Sequence, residues 1–227
     1  MKTDRTEYTI YFAGPLFDHK DLIGNALLAE AIREMSDGKY RCILPQDLEQ
    51  FTDRAVDIRN QDLSYVMQCD LSIFNFDGTE LDSGTVVEFM YAKTLDIPAL
   101  IIRSDFRGSG DQQKDGDQWN LMASFYPRTR VLNFHAMEWY GATRSDLSKD
   151  HDVFDEARIF YMRVARQVIR ELDAVMLDIP LLSYEDGQAY ETYRWAVKFP
   201  GGGLDETKII SEIKGIILSK KSKGLLS

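Results

Sequence analysis

The chain has 227 residues, 44% of them hydrophobic, and carries 27 Lys and Arg against 37 Asp and Glu, a net charge of −10. That apolar content fills one large core, or one core with an appended subdomain. The acidic balance argues against a protein that tracks the phosphates of polymeric nucleic acid, which needs a basic face, but leaves a single nucleoside or nucleotide open as ligand.

The polar start MKTDRTEYT runs straight into a strand-like segment and does not read as a secretory signal. Tyr8 to Ala13 (YTIYFA) is β-branched and aromatic, stops at Gly14-Pro15, and predicts a strand followed by a loop. Apolar residues at Leu22, Ala26, Ala29, Ile32 and Met35 have helical spacing. Tyr40 to Leu44 reads as a short strand ended by Pro45, Asp53 to Gln68 as a helix, and Leu71 to Phe76 as a strand. Ser83 to Thr94 reads as a helix with Ser83 as its N-cap. Ile97 to Ile102 is an almost wholly apolar strand, as expected where both sheet faces are covered, and Arg130 to Phe134 is a fifth strand.

The loop Ser104 to Gln118 reads equally as a lid or as a solvated connection. Phe154 to Met176 predicts one long helix with a continuous apolar stripe, suited to the core or a subunit contact. Beyond Pro180 lie Tyr184, Tyr190, Tyr193 and Trp195, read as core packing before a base-stacking wall. Leu204 to Leu218 is a last helix, and the tail KKSKGLLS is expected to fray. Cys42 and Cys69 sit in apolar surroundings and are expected to be buried free thiols. No stretch of ~18 uncharged apolar residues spans a membrane, and a cytoplasmic protein is expected.

Strands alternating with helices at this spacing predict βαβ units and a parallel sheet. Such a sheet binds ligands outside the carboxyl ends of its strands. The most informative segment there is FDGTELDSGTVVEFMYA (Phe76 to Ala92). Glu88 lies about one and a half turns into its helix, a carboxylate among Val86, Val87, Phe89 and Met90, and costly there without a task or partner. Asp62, on the preceding helix, and Asp82 give two further acids for the same end of the sheet. Converging, partly buried acids acquire divergent pKa values, so one can attack while another carries a proton, as glycosidic chemistry requires. The bland alternative is a capping Asp82, a surface-paired Glu88 and a solvated Asp62. FDGTELD resembles a calcium loop in composition, but its spacing does not fit the twelve-residue ligand pattern, and no metal site is expected.

YFAGPLF (Tyr11 to Phe17), DGTELDSGTVVEFMYA (Asp77 to Ala92) and WNLMAS (Trp119 to Ser124) together resemble the nucleoside 2-deoxyribosyltransferase family. The resemblance implies a flavodoxin-like α/β fold, an open parallel five-stranded sheet flanked by helices, over residues 1–135. Residues 136–227 would then be a mostly helical C-terminal extension, packed on the same core or on an oligomer interface. It implies transfer of 2-deoxyribose between nucleobases through a covalent sugar–enzyme ester, with 2′-deoxynucleosides and free bases as substrates and no cofactor. Glu88 matches the nucleophile, Asp82 and Asp62 the acids that hold and protonate the base, and Tyr11 the tyrosine bonded to the nucleophile. Gly14, Phe17 and Gln46 match substrate-binding positions. Asn120 matches a residue lent by a neighbouring subunit, so a homo-oligomer with shared active sites is implied.

Two features depart from the family pattern. Met90 stands where Gly is usual, behind the nucleophile, and the chain continues well past the last matching strand. Two rival functions follow: an N-glycosidase that hydrolyses nucleoside 5′-monophosphates, and a binding module for nucleosides or nucleotides without chemistry. Relatives of the first kind place Ser where Asp82 and Asn120 stand, and the carboxylate of Asp82 would repel a phosphate.

Overall fold

The computed structural model describes residues 6–48, 54–107, 117–148 and 150–227. Five parallel strands, β1 (Tyr8–Ala13), β2 (Tyr40–Ile43), β3 (Leu71–Asn75), β4 (Ala99–Arg103) and β5 (Thr129–Asn133), form one sheet in the order β2-β1-β3-β4-β5. Helices α1 (His19–Met35), α2 (Ala55–Gln68) and α3 (Ser83–Thr94) make the crossovers between the first four strands. Helices α4 (Ala136–Asp146), α5 (Val153–Val175), α6 (Gln188–Lys198) and α7 (Ile209–Ser222) follow β5. The fold is the expected α/β architecture, an open five-stranded parallel sheet flanked by helices, with further helices at the C-terminal end.

Alternation along the strands divides the core into two layers. Ile10 and Phe12 of β1, Ile73 of β3 and Leu100 and Ile102 of β4 meet α1 and the apolar stripe of α5, Val164, Val168, Leu172 and Val175. Tyr11, Ala13, Phe74, Ala99 and Ile101 face the other way, toward α2, α3, α6 and α7. Both faces are covered, which is why β3 and β4 read as nearly continuous apolar runs.

The expected strands and the helices through α3 lie within a few residues of the observed ones. Helix α1 begins at His19, earlier than the apolar spacing suggests, because the Asp18 carboxylate accepts from the amides of Lys20 (2.7 Å) and Asp21 (3.1 Å). The beginning of the expected second helix, at Asp53, and most of the Ser104–Gln118 loop lie outside the described residues. Helices α4 and α6 were not expected. Cys69 is buried and Cys42 partly buried, and both are free thiols. No helix among the described residues is long and apolar enough to cross a membrane.

The frayed tail is corrected. Leu225 and Leu226 are buried, and Ser227 O accepts from Tyr184 N at 2.7 Å. Lys220 is buried and donates to Cys69 O, while Lys223 Nζ meets Asp70 Oδ2 at 2.6 Å. The lysines that make this tail look solvated are instead spent on the amino-terminal edge of β3. Beside them lies a buried ion pair, Arg128 Nη1 to Asp96 Oδ2 at 2.6 Å, whose carboxylate also accepts from Leu181 N (2.7 Å) and Leu182 N (3.1 Å).

Candidate active site

The strand order reverses between β1 and β3, and their carboxyl ends define the crevice where such sheets bind ligands. The two ends approach closely at Gly14, where a Cβ would lie 3.0 Å from Asn75 Cβ. A side chain there would push the strands' exits apart.

Tyr11 is fully buried on the α2–α3 side of β1, and its hydroxyl donates to Glu88 Oε1 at 2.5 Å. Glu88 reaches inward from α3, between Phe89, which is edge-on to Phe74 and Phe76, and the outer positions Val87 and Met90. Burial pushes its carboxyl up to about 7; the Tyr11 hydrogen bond opposes this, and the charges of Asp62 and Asp82 add to it. Burial and the neighbouring Glu88 and Asp62 charges raise the Tyr11 phenol well above its ordinary value, so it stays a donor. Asp62, on α2, is pushed up to about 6 by burial alone. Three side chains from β1, α2 and α3 thus form one electrostatic unit.

Asp82 completes it from the start of α3. Its backbone is extended, and Oδ2 accepts from Thr85 N (2.7 Å) and Thr85 Oγ1 (2.8 Å). Asp82, not Ser83, is therefore the N-cap. The chain leaves its extended conformation only after Asp82, and its carboxylate reaches the third-position amide while complementing the helix dipole.

The remaining expected positions are placed differently. Gln46 donates through Nε2 to Leu22 O at 2.8 Å, fastening the loop after β2 to α1. Phe17 is 78% exposed. Asn120 Oδ1 accepts from Met122 N at 2.9 Å, capping a short turn at Leu121–Ala123. Asn120 lines a groove of about 580 Å³ with Ser83, Val86, Met90, Met122 and Tyr126, a wall that includes none of Tyr11, Asp62 or Glu88. Met90 is 37% exposed in this groove, so its bulk falls on the outer side of α3 rather than behind Glu88. Of the later aromatic residues, Tyr193 is core, Tyr190 packs against it, and Trp195 is exposed, stacked on Phe199 at 6.3 Å.

A model of the nucleoside 2-deoxyribosyltransferase family matches residues 10–122, which carry Tyr11, Asp62, Asp82, Glu88 and Asn120. The chain belongs to this family. Among solved structures it is similar to a conserved protein from Enterococcus faecalis V583, with 28% identity and a TM-score of 0.48 over 56% of this chain and 92% of that one. It is similar to the 2-desoxiribosyltransferase from Leishmania mexicana, with 27% identity and a TM-score of 0.43 over 54% and 89%. A third similarity is to the 2-deoxyribosyltransferase from Bacillus psychrosaccharolyticus, with 17% identity and a TM-score of 0.42 over 65% and 95%. No curated protein matches the sequence.

Arg103 has a part in the site that no motif in the sequence marks. It is buried at the end of β4 and donates through Nη1 to Phe76 O and to Gly78 O (2.9 Å), and through Nη2 to Arg107 O (3.0 Å). Asp77 answers in the other direction, accepting from Ser104 N (2.5 Å), Asp105 N (2.8 Å) and Ser104 Oγ (2.7 Å). The two loops are cross-braced, which fixes the chain that leads into Asp82. The signal in the sequence is a single cation ending an otherwise apolar strand. No group of three or more His, Cys, Asp or Glu among the described residues is placed to hold a metal ion.

Proposed function

We propose that the protein transfers 2-deoxyribose between nucleobases through a covalent ester on Glu88. The observation that carries this reading is the buried Tyr11–Glu88 hydrogen bond, in the field of two further acids, Asp62 and Asp82. A carboxylate oriented by a phenol and kept from water is a nucleophile with one oxygen held and the other free to attack. Glu88 attacks C1′ from the face opposite the base, and the C1′–N bond breaks. Asp62 gives a proton to the departing base nitrogen, so the base leaves neutral. An incoming base then attacks C1′, the ester bond breaks, and Asp62 takes the proton that the new base sheds. Asp62 suits the shuttle better than Asp82, one of whose oxygens caps α3.

Burial raises both carboxyls, Glu88 to about 7 and Asp62 to about 6, so near neutral pH the pair shares one proton, and the reactive form has it on Asp62. The test is deoxyinosine with adenine, followed by chromatography. Base exchange supports the transferase, free deoxyribose the hydrolase, and no turnover the binding module.

Selectivity against phosphate is expected to reside in Asp82. Two like charges in a partly desolvated pocket cost a few kcal/mol, on the order of a hundredfold in kcat/KM. Deoxynucleosides should be preferred over their 5′-monophosphates by about that factor, and Asp82→Ser should narrow the gap. Ser also caps helices well, so the variant should keep its thermal stability. Equal kcat/KM for deoxyadenosine and its 5′-monophosphate in the unmodified protein defeats this account and raises the hydrolase.

We also propose that the Asn120 groove seats a second copy of the chain, so that active sites are shared. Its rim exposes Val87, Leu121, Met122 and Phe125, an apolar patch that association would cover. Mixing inactive Glu88→Ala with inactive Asn120→Ala protein should restore part of the exchange activity through hybrid sites. A monomer by light scattering at assay concentration contradicts it.

A further inference from the structure

The turn Pro200–Gly203, which follows α6, lies against α2, and three consecutive carbonyls are gripped there. Arg59 donates through Nη1 to Pro200 O (3.1 Å) and through Nη2 to Gly201 O (2.7 Å), and Asn60 Nδ2 donates to Gly202 O (2.8 Å). Arg59 Nη2 also donates to Asn60 Oδ1 at 2.7 Å, so the two side chains act as one clamp. The turn offers its carbonyls in this way because Gly201, Gly202 and Gly203 all have positive φ, at 62°, 66° and 75°. Only glycine adopts that run without strain. The approach leaves no room for a side chain: a Cβ on Gly202 would lie 2.6 Å from Arg59 Nη2 and 2.8 Å from Val56 Cγ2.

The N-cap residue of α2, Arg54, makes no side-chain capping bond. Asp62 follows Arg59 by three residues and sits on the same rigid rod. Its charge acts on Glu88 of α3 and on Tyr11 of β1. On the outer side of α2, Lys208 and Glu212 of α7 share a groove with Gln61 and Ser64.

We propose that the Pro200–Gly203 turn is a positioning element of the active site, which holds Asp62 against Glu88 and Tyr11 through the clamp of Arg59 and Asn60. The proposal rests on the reading of Asp62 as the proton shuttle. It gives the C-terminal segment, outside the family match at residues 10–122, a part in the reaction.

Two charge-neutral variants of the full chain test it from both sides of the contact: Gly202→Ala, which lifts the turn, and Asn60→Ala, which opens the clamp without backbone strain. Arg59→Met is the third. The readouts are the titration of the Asp62 carboxyl by carbon NMR and the steady-state constants for base exchange. All three variants should lower kcat about tenfold with KM changed less than about twofold, and Arg59→Lys should recover part of the loss. As water reaches the loosened helix, the Asp62 midpoint should fall by about one unit toward the ordinary carboxylate range.

If Arg59 instead acted on Asp62 by its charge, Arg59→Met would raise the midpoint and the neutral variants would leave it in place. That result overturns the proposal, as does an unmoved midpoint in folded Asn60→Ala protein. The titration needs no turnover. An unmodified protein that exchanges no base, yet whose Asp62 midpoint falls in the variants, defeats the proposed function and leaves the positioning intact.

Discussion

Glu88→Ala is expected to lower base exchange by about three to five orders of magnitude in a protein that still folds, because a covalent nucleophile carries most of the rate enhancement. The motivating geometry is the 2.5 Å bond from the Tyr11 hydroxyl, which orients a carboxylate that burial holds at about 7. Glu88→Gln should be as inactive and also more stable at pH 8. A carboxyl raised from 4.5 to about 7 contributes stability below pH 4.5 that is lost as the pH rises through 7. The amide escapes that loss, on the order of 3 kcal/mol, or a Tm about 5–10 °C higher at pH 8 and little change at pH 4. The unmodified enzyme should work best between about pH 6 and 7, where the Glu88–Asp62 pair holds one proton. Quenching with a 2-fluoro-2-deoxynucleoside should leave the sugar on Glu88 by mass spectrometry. Near-normal turnover by folded Glu88→Ala protein, or a label elsewhere, removes Glu88 from the reaction.

The largest loss of stability is expected from Asp96→Ala, at the amino-terminal end of the strands. Asp96 and Arg128 are both buried, and both have left-handed backbones, with φ at 55° and 50°. Such conformations cost about 1–3 kcal/mol each in residues other than glycine and persist only where their surroundings hold them. Here the Asp96 carboxylate binds Arg128 and the amides of Leu181 and Leu182, and Arg128 also donates to Asp96 O (2.8 Å) and Leu225 O (3.3 Å). Removing the carboxylate leaves a buried guanidinium uncompensated and frees the segment that leads to α6. A cost of about 3–5 kcal/mol is expected, seen as a fall in Tm of roughly 10 °C. Asp96→Asn, which tolerates the backbone and keeps an acceptor oxygen, should lose less. Unchanged denaturant midpoints for Asp96→Ala would show that the contact contributes nothing net.

Local pattern was enough for the elements whose periodicity is strong. Tyr8–Ala13 and Ser83–Thr94 have the predicted bounds, although Asp82 and not Ser83 caps the latter, and α5 lies within one residue of its apolar stripe. Helix α4 buries only Thr143 fully, so it has no apolar face to read. Helix α6 buries Ala189, Tyr193, Ala196 and Val197 at helical spacing, but exposed Trp195 and a crowd of tyrosines obscure the stripe. At the start of α3 two good capping residues stand side by side. The choice between Asp82 and Ser83 depends on where the incoming chain stops being extended, which the braced loop at Arg103 and Asp77 governs.

By itself the sequence determined an α/β chain of βαβ units and a set of acids at the carboxyl ends of the strands. Hydrophobic periods and turn residues act over a few positions and can be read without knowing the fold. Which acids meet was decided by the tertiary structure alone. Tyr11 and Glu88 are 77 residues apart and bond only because β1 lies beside β3 and α3 covers that face. The fate of the last residues was settled in the same way. Lys220 and Lys223 look solvated in KKSKGLLS, yet Cys69 O and Asp70 draw them inward, because a buried carbonyl and carboxylate at the start of the central strand need donors that no neighbour in sequence supplies.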